Sequence, residues 1–351
     1  MIVYLTTTAH RYTPLIFLET VGHALNDRFR ILDYDGAFRM QALAPATYIF
    51  ADLERLDADT MARARDLWAA LSRDGRSRLL NDPARALRRF DLLHALHEEG
   101  LNPFGAYRVA QDARPSRFPV FLRGEADHDG AIGGLLDSPG ALDAAIAALA
   151  RSGAALADKL IVEFVDVRDG DGFYHKYSAF RVGTRIVAGD LDFSRDWVAK
   201  PEAPESPVAA HYAAQEDYVR SNPHAGALMA IFERARIDYG RIDYALKDGR
   251  ICTFEINTNP TILEAHWTDP SWGAARRDFA AALADALLAI DDVPGAGPAY
   301  RLRESLRAAS TPAPYRGRLL ARDLLHGLGL AALERPLVRA IRRLRGSPRK
   351  H

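Results

Sequence analysis

Short apolar runs and amphipathic stretches alternate through the first eighty residues. Ile2 to Leu5, Arg30 to Asp33 and Thr47 to Ala51 read as strands, and Pro14 to Leu25 and Ala58 to Ser72 as helices. That order predicts a small open α/β domain. Asn81-Asp82-Pro83, a capping residue followed shortly by proline, then predicts a helix start, and apolar positions at Leu87, Phe90, Leu93 and Leu96 carry the helix to Gly100. This helix is the expected hinge.

Beyond the hinge the pattern changes. Phe118 to Arg123 reads as a strand, Gly124 to Gly134 as a glycine-rich turn, and Pro139 to Arg151 as an alanine-rich helix. Strands follow at Leu160 to Asp166, Lys176 to Val182 and Thr184 to Gly189, the first two joined by the polar turn Arg168 to Gly172. This is α+β rather than doubly wound. The proline-rich stretch Lys200 to Pro207 is a loop, helices at His211 to Ser221 and Pro223 to Ala235 come next, and strands at Arg241 to Leu246 and Arg250 to Ile256 flank a Lys-Asp-Gly-Arg turn. A helix at Ala274 to Ala289 closes the body, and breaker clusters at Gly295 to Pro298 and Ser310 to Pro314 lead into a helical tail. The expected divisions are residues 1–80, 81–190, 191–295 and 296–351.

Composition narrows the class. A chain of 351 residues, 48% hydrophobic and 26% charged, can bury a sizeable core. Its N-terminal segment has no basic stretch ahead of a long apolar run, and no segment approaches the roughly 20 apolar residues that span a bilayer, so a cytoplasmic protein is expected. The single cysteine, Cys252, sits in an apolar run and reads as a small buried side chain. The net charge is zero, yet Tyr315 to His351 holds ten Lys or Arg against Asp323 and Glu334. An acidic body argues against general nucleic-acid affinity. The basic tail, with Leu337, Val338, Ile341 and Leu344 at helical spacing, suits an anionic membrane, a partner, or docking on the body itself.

Candidate chemistry concentrates in Gly240 to Thr261. Two strands meet around one turn, and alternation puts Asp243 on the face of Arg241 and Glu255 on the face of Asn257. In a suitable register these groups lie within about 5 Å of one another. Two carboxylates and an amide oxygen are hard oxygen ligands of the kind Mg²⁺ takes. Acids buried without partners are costly, which argues against decoration of an exposed hairpin.

The segment Gly240-Arg-Ile-Asp, with Glu255-Ile-Asn-Thr-Asn-Pro after it, resembles the ATP-grasp superfamily, in the pattern Gly-Arg-Ile-Asp and Glu-x-Asn-Thr-x-Pro of its D-alanine ligases. The resemblance spans about Asn81 to Ala289, with its strong motifs in this hairpin. It implies the ATP-grasp fold, preceded by the small α/β domain and followed by the helical tail. It also implies that Asp243, Glu255 and Asn257 hold Mg²⁺, with Mn²⁺ able to replace it, on the phosphates of ATP, and that Arg241 stabilises negative charge in the reaction. The family's two phosphate-binding lysines correspond to Arg89 and Arg123, both departures from its usual pattern. Arg89 also reads as a solvated helix residue.

Further residues follow from the same resemblance. Gly124 to Gly134, with Gly130 and Gly133, would offer backbone N–H groups to the triphosphate, while Glu125, Asp127, His128 and Asp129 face solvent. Glu163 and Val165 would meet adenine, and Asp166, Asp169 or Asp171 the ribose. Lys176 or Arg181 would reach phosphate or substrate, and Glu264, His266 and Trp267 would line the cleft. The run Lys176-Tyr-Ser-Ala-Phe-Arg-Val-Gly looks like a group of bacterial ATP-grasp proteins with no assigned substrate.

The implied reaction is ATP-dependent ligation of a small-molecule or peptide carboxylate to an amine or thiol acceptor through an acylphosphate. No Ser-His-Asp or Cys-His arrangement competes with it. A kinase of the same superfamily and a non-catalytic ATP-binding interaction protein are the alternatives, and a homodimer is left open.

Overall fold

The computed structural model describes residues 1–111, 114–126, 130–198, 209–262, 273–293 and 298–302. The basic tail, and with it the expected membrane or partner contact, lies outside them.

The first unit is a parallel four-stranded sheet in the order β2-β1-β4-β5, built from β1 (Ile2–Thr6), β2 (Phe29–Asp33), β4 (Thr47–Phe50) and β5 (Arg78–Leu80). Its apolar runs are continuous because both faces are covered. Ile2 and Tyr4 enter one core with Phe17 of α1 (Tyr12–Thr20), while Val3 and Leu5 enter another with Phe38 of α2 (Tyr34–Arg39) and Leu67 of α3 (Ala58–Asp74). Helix α3 starts where the Asp57 side chain accepts the Thr60 N–H at 2.7 Å, and it ends at Gly75 in the left-handed region at φ 69°. The short strand β3 (Ala42–Leu43) pairs with a strand from the far end of the chain, described last.

The predicted helix start at Asn81 is displaced. The hinge helix α4 runs Arg89–Glu98, and Asn81 instead joins two units. At φ 66°, its buried amide donates to the carbonyls of Phe50 and Tyr239 and accepts from the N–H groups of Asp238 and Tyr239. A side chain with four backbone partners elsewhere cannot also cap a helix.

A second, antiparallel sheet has the order β6-β9-β7-β8, formed by β6 (Ala106–Arg108), β7 (Val120–Gly124), β8 (Ala131–Leu136) and β9 (Lys159–Glu163). Leu142 of α5 (Pro139–Arg151) packs on Val120, Leu122 and Ile161. The glycine-rich stretch is therefore half hairpin, since Ala131 pairs with Arg123 and Ile132 with Leu122.

The third sheet, also antiparallel, has the order β11-β10-β12-β13: β10 (Tyr174–Val182), β11 (Arg185–Ser194), β12 (Tyr239–Lys247) and β13 (Arg250–Asn257). Helix α6 (Ala209–Ser221) lies beside β11. One sheet face carries Ala179, Ile242, Tyr244 and Ile256 into a core with Leu228 and Phe232 of α7 (Ala225–Ala235). On the other, Phe180 and Val182 pack on Phe279, Leu283 and Leu287 of α8 (Gly273–Ile290) and reach the first domain's Tyr4 and Phe29. Strand β10 pairs with β11 on one side and β12 on the other, which draws residues from Tyr174 onward into this sheet, so a division after residue 190 runs through β11. The closing strand β14 (Tyr300–Arg301) pairs back onto β3. Among the described residues, no helix is long and apolar enough to cross a membrane.

Candidate active site

Register assembles the site. Arg241 stands opposite Asn257 and Asp243 opposite Glu255 across β12 and β13; Ser178 of β10 stands opposite Asp243, and Asp192 of β11 opposite Lys176. Partners in a sheet share a face, so all of these side chains leave one side. The turn is Asp248-Gly249, both at positive φ (51° and 74°), the conformation a two-residue hairpin requires. Gly240 permits the close approach of the strands, because a Cβ there would meet the Asn257 carbonyl oxygen at 2.9 Å. A bulge after Asp243 sets Tyr244 opposite Thr253 while Glu255 stays opposite Asp243.

The two acids have separate cationic partners. Arg241 grips Asp243 with Nε to Oδ1 at 2.7 Å and NH2 to Oδ2 at 3.2 Å, and its NH1 donates to the Thr261 carbonyl. Lys176 Nζ lies 3.9 Å from Asp243 and 3.3 Å from Asp192. Burial alone would lower the Lys176 pKa, but Asp243 and Asp192 outweigh it and the ammonium is held above its ordinary value. Glu255 Oε2 accepts from Arg89 NH2 at 2.6 Å and from Arg123 NH2 at 2.7 Å. Arg89, the first residue of α4, is buried, and its NH1 is fixed by the carbonyls of Gly124 and Glu125 at 2.8 Å each. Burial pulls its pKa down in spite of Glu255. The Arg123 Nε is buried with no hydrogen-bond partner among the described residues.

Seven of the predicted residues thus converge: Arg89, Arg123, Lys176, Arg241, Asp243, Glu255 and Asn257. Gly130 and Gly133 lie on the adjacent hairpin at φ 87° and 78°, with open space where a Cβ would stand. Arg181 goes elsewhere, since its guanidinium binds the carbonyls of Gly183 and Ile237 and pairs with Asp238. Asp127, His128, Asp129, Glu264, His266 and Trp267 lie outside the described residues.

Glu163, expected at adenine, has a carboxylate engaged within the chain. Its carboxylate accepts from Gly105 N–H, Tyr107 OH, the Ser116 N–H and hydroxyl, and Arg117, and the side chain has no exposed surface. Burial would raise its pKa, but these donors bring it down to about 2. A carboxylate so filled has no lone pair to offer a base. Val165 is half-buried beside it. The ribose candidates are also engaged, Asp166 by Arg168 and both Asp169 and Asp171 by His175. Glu125, expected in solvent, is held by both arms of Arg108.

Two acids on the same wall went unassigned in the sequence. Asp192 pairs with Lys176, and Asp190, two residues away, has its pKa pushed up to about 7 by burial and by the Asp192 charge, with Arg241, Arg276 and Lys176 offsetting part of the rise. The available signal was Gly189-Asp-Leu-Asp192, acids at alternate positions of an otherwise apolar strand.

The donor set suits magnesium in a particular way. Among the described residues no three His, Cys, Asp or Glu side chains cluster as a metal site. Two carboxylates and one amide oxygen on one sheet face are hard oxygen donors, a chemistry that fits an ion which keeps waters and takes oxygens from a phosphate ligand.

No protein-family model matches the chain, and no curated protein matches it. Solved structures similar to it include ligases and ATP-grasp proteins. One is the D-alanine–D-alanine ligase from Bacillus anthracis complexed with ATP, at 10% identity and TM-score 0.43 over 83% of this chain and 97% of that one. A RimK domain ATP-grasp protein from Sphaerobacter thermophilus has 14% identity and TM-score 0.42 over 82% and 100%. The ATP-grasp ligase PsnB, complexed with a minimal precursor, has 14% identity and TM-score 0.46 over 82% and 98%.

Proposed function

We propose that the chain is an ATP-dependent ligase of the ATP-grasp type, which joins a carboxylate to an amine or thiol through an acylphosphate. The observation that carries this reading is the convergence on one pair of cross-strand acids, Asp243 and Glu255, of cations from helix α4 and both antiparallel sheets: Arg89 and Arg123 from one side, Arg241 and Lys176 from the other. That is the arrangement needed where a polyphosphate and its metal meet a reacting carboxylate.

Asp243, Glu255 and Asn257 would hold Mg²⁺, which when bound supplies charge neutralisation at the phosphates. Arg89 and Arg123 bind and orient phosphate oxygens, and the buried Arg123 Nε brings an unspent donor to that task. Arg241 and Lys176 face the reacting groups. A substrate carboxylate oxygen attacks the γ-phosphorus and the bond to ADP breaks; the acceptor then attacks the acyl carbon, gives up its proton, and inorganic phosphate leaves. Positioning and charge carry the rate, so no protein nucleophile is needed.

A screen for ADP release with pooled amino acids and peptides tests this, with Asp243→Ala and Glu255→Ala as controls. The ligase releases ADP and phosphate together only when an acceptor is present. ADP release without phosphate would instead indicate a kinase. Normal turnover by both variants would remove the site assignment. ATP binding without turnover on any substrate is the second reading, favoured by the engagement of both phosphate-side arginines at Glu255.

A further inference from the structure

The geometry points to metal and nucleotide binding as one coupled event, in which Arg89 and Arg123 deny Glu255 to a divalent cation that comes without a polyphosphate. This inference rests on the proposed nucleotide site and adds to it a mutual dependence of its two ligands.

Both guanidinium groups meet the same oxygen, Glu255 Oε2, at 2.6 and 2.7 Å. Asp243 is spanned by the two arms of Arg241 and has Lys176 beyond them. Four cations therefore serve two carboxylates, and the acids a metal needs are already neutralised within the chain. Displacement is not free, because Arg89 is buried and its other arm is tied to the Gly124 and Glu125 carbonyls. A divalent ion coming alone would take Glu255 from two largely buried guanidinium groups and then sit beside them, like charge against like.

A polyphosphate changes the balance. Its oxygens accept the same planar forks that Glu255 accepts, so the arginines exchange one anion for another, and Glu255 turns to the metal. The donor chemistry points the same way, since among the described residues no three acids cluster as a metal site, and a polyphosphate would add oxygens to those of Asp243, Glu255 and Asn257. Arginine suits this exchange better than lysine because its fork matches carboxylate and phosphate alike.

The test uses the full chain and a thermodynamic cycle. Mn²⁺ binding is followed by loss of the electron paramagnetic resonance signal of the free ion, with and without a non-hydrolysable ATP analogue. Binding of the analogue is measured by calorimetry in EDTA and in excess Mn²⁺, corrected for the Mn²⁺-analogue complex in solution. We expect Mn²⁺ to bind about tenfold or more weakly without the analogue, and the analogue to lose the same factor without metal, as linkage requires. Arg123→Gln should raise the affinity for Mn²⁺ alone by about tenfold and weaken the analogue, with thermal melting to show a folded chain. The wild-type cycle needs no variant, so the test stands if that variant does not fold. Equal Mn²⁺ affinity with and without the analogue overturns the coupling and leaves the nucleotide site standing. Failure of the analogue to bind under any condition overturns the site itself.

Discussion

Asp243 and Glu255 are partners across one hairpin, yet Asp243 is held by Arg241 of its own strand and Glu255 by Arg89 of helix α4 and Arg123 of a different sheet. Glu255 is therefore a bond between subdomains as well as a candidate metal ligand. Removing its charge strands two largely buried guanidinium groups, and breaking a buried pair from one side costs about 3 kcal/mol. Glu255→Gln should lower the melting temperature by several degrees and abolish ADP release. Destabilisation with full turnover would show that Glu255 serves the fold alone.

A similar bridge lies two residues past the predicted site. Asn259 is buried; its Oδ1 accepts from Tyr4 OH and Thr13 OH, and its amide donates to Thr6 OH and the His10 carbonyl, all in the first domain. Its own N–H donates to Asn257 Oδ1 at 2.9 Å, which fixes the amide expected at the metal. Asn259→Ala should cost about 2 to 4 kcal/mol in urea unfolding, because several buried polar groups lose partners together. ATP-analogue affinity should fall with it, and unchanged affinity would separate the bridge from the site.

The hairpin was legible because it is local. Alternation puts Arg241 with Asp243 and Glu255 with Asn257, but the Asp-Gly turn alone would set Asp243 opposite Phe254, and it is the bulge after Asp243 that brings the two pairs to one face. The convergence of Arg89 and Arg123 on Glu255 was not legible in the same way, since its partners lie 166 and 132 residues apart. Asn81 follows the same rule: a cap and an interdomain amide use the same side chain, and local sequence does not say which backbone it meets. Asp190 and Asp192 depend on non-local pairing in the same way, since the register that brings Asp192 to Lys176 is set between strands.

Glu163 gives a prediction with a defined sign. Its pKa falls from the ordinary 4.5 to about 2 in the folded chain. The unfolded state therefore binds the proton more readily, and the stabilisation is fully present above pH 4.5 and lost as pH falls through about 2. Glu163→Gln should destabilise by about 2 kcal/mol at pH 7, with the difference from wild type shrinking in acid. A difference that does not change with pH would mean that the carboxylate's charge is not what the surrounding donors recognise.

Asp190 runs in the opposite direction. Burial and the neighbouring Asp192 raise its pKa from 3.8 to about 7, so the folded chain holds a proton that the unfolded chain has released. Stability then falls as pH rises from 3.8 to about 7, and the cost persists above that. Asp190→Asn removes the charge and keeps the shape. At pH 8 it should stabilise the protein by about 1 to 2 kcal/mol, while at pH 4 it should be close to neutral. Chemical unfolding at the two pH values measures this directly, and a variant less stable than wild type at pH 8 would show that Arg241, Arg276 and Lys176 keep Asp190 ionised. In that case the acid would be a fixed negative charge on the cleft wall rather than a group that titrates near neutrality.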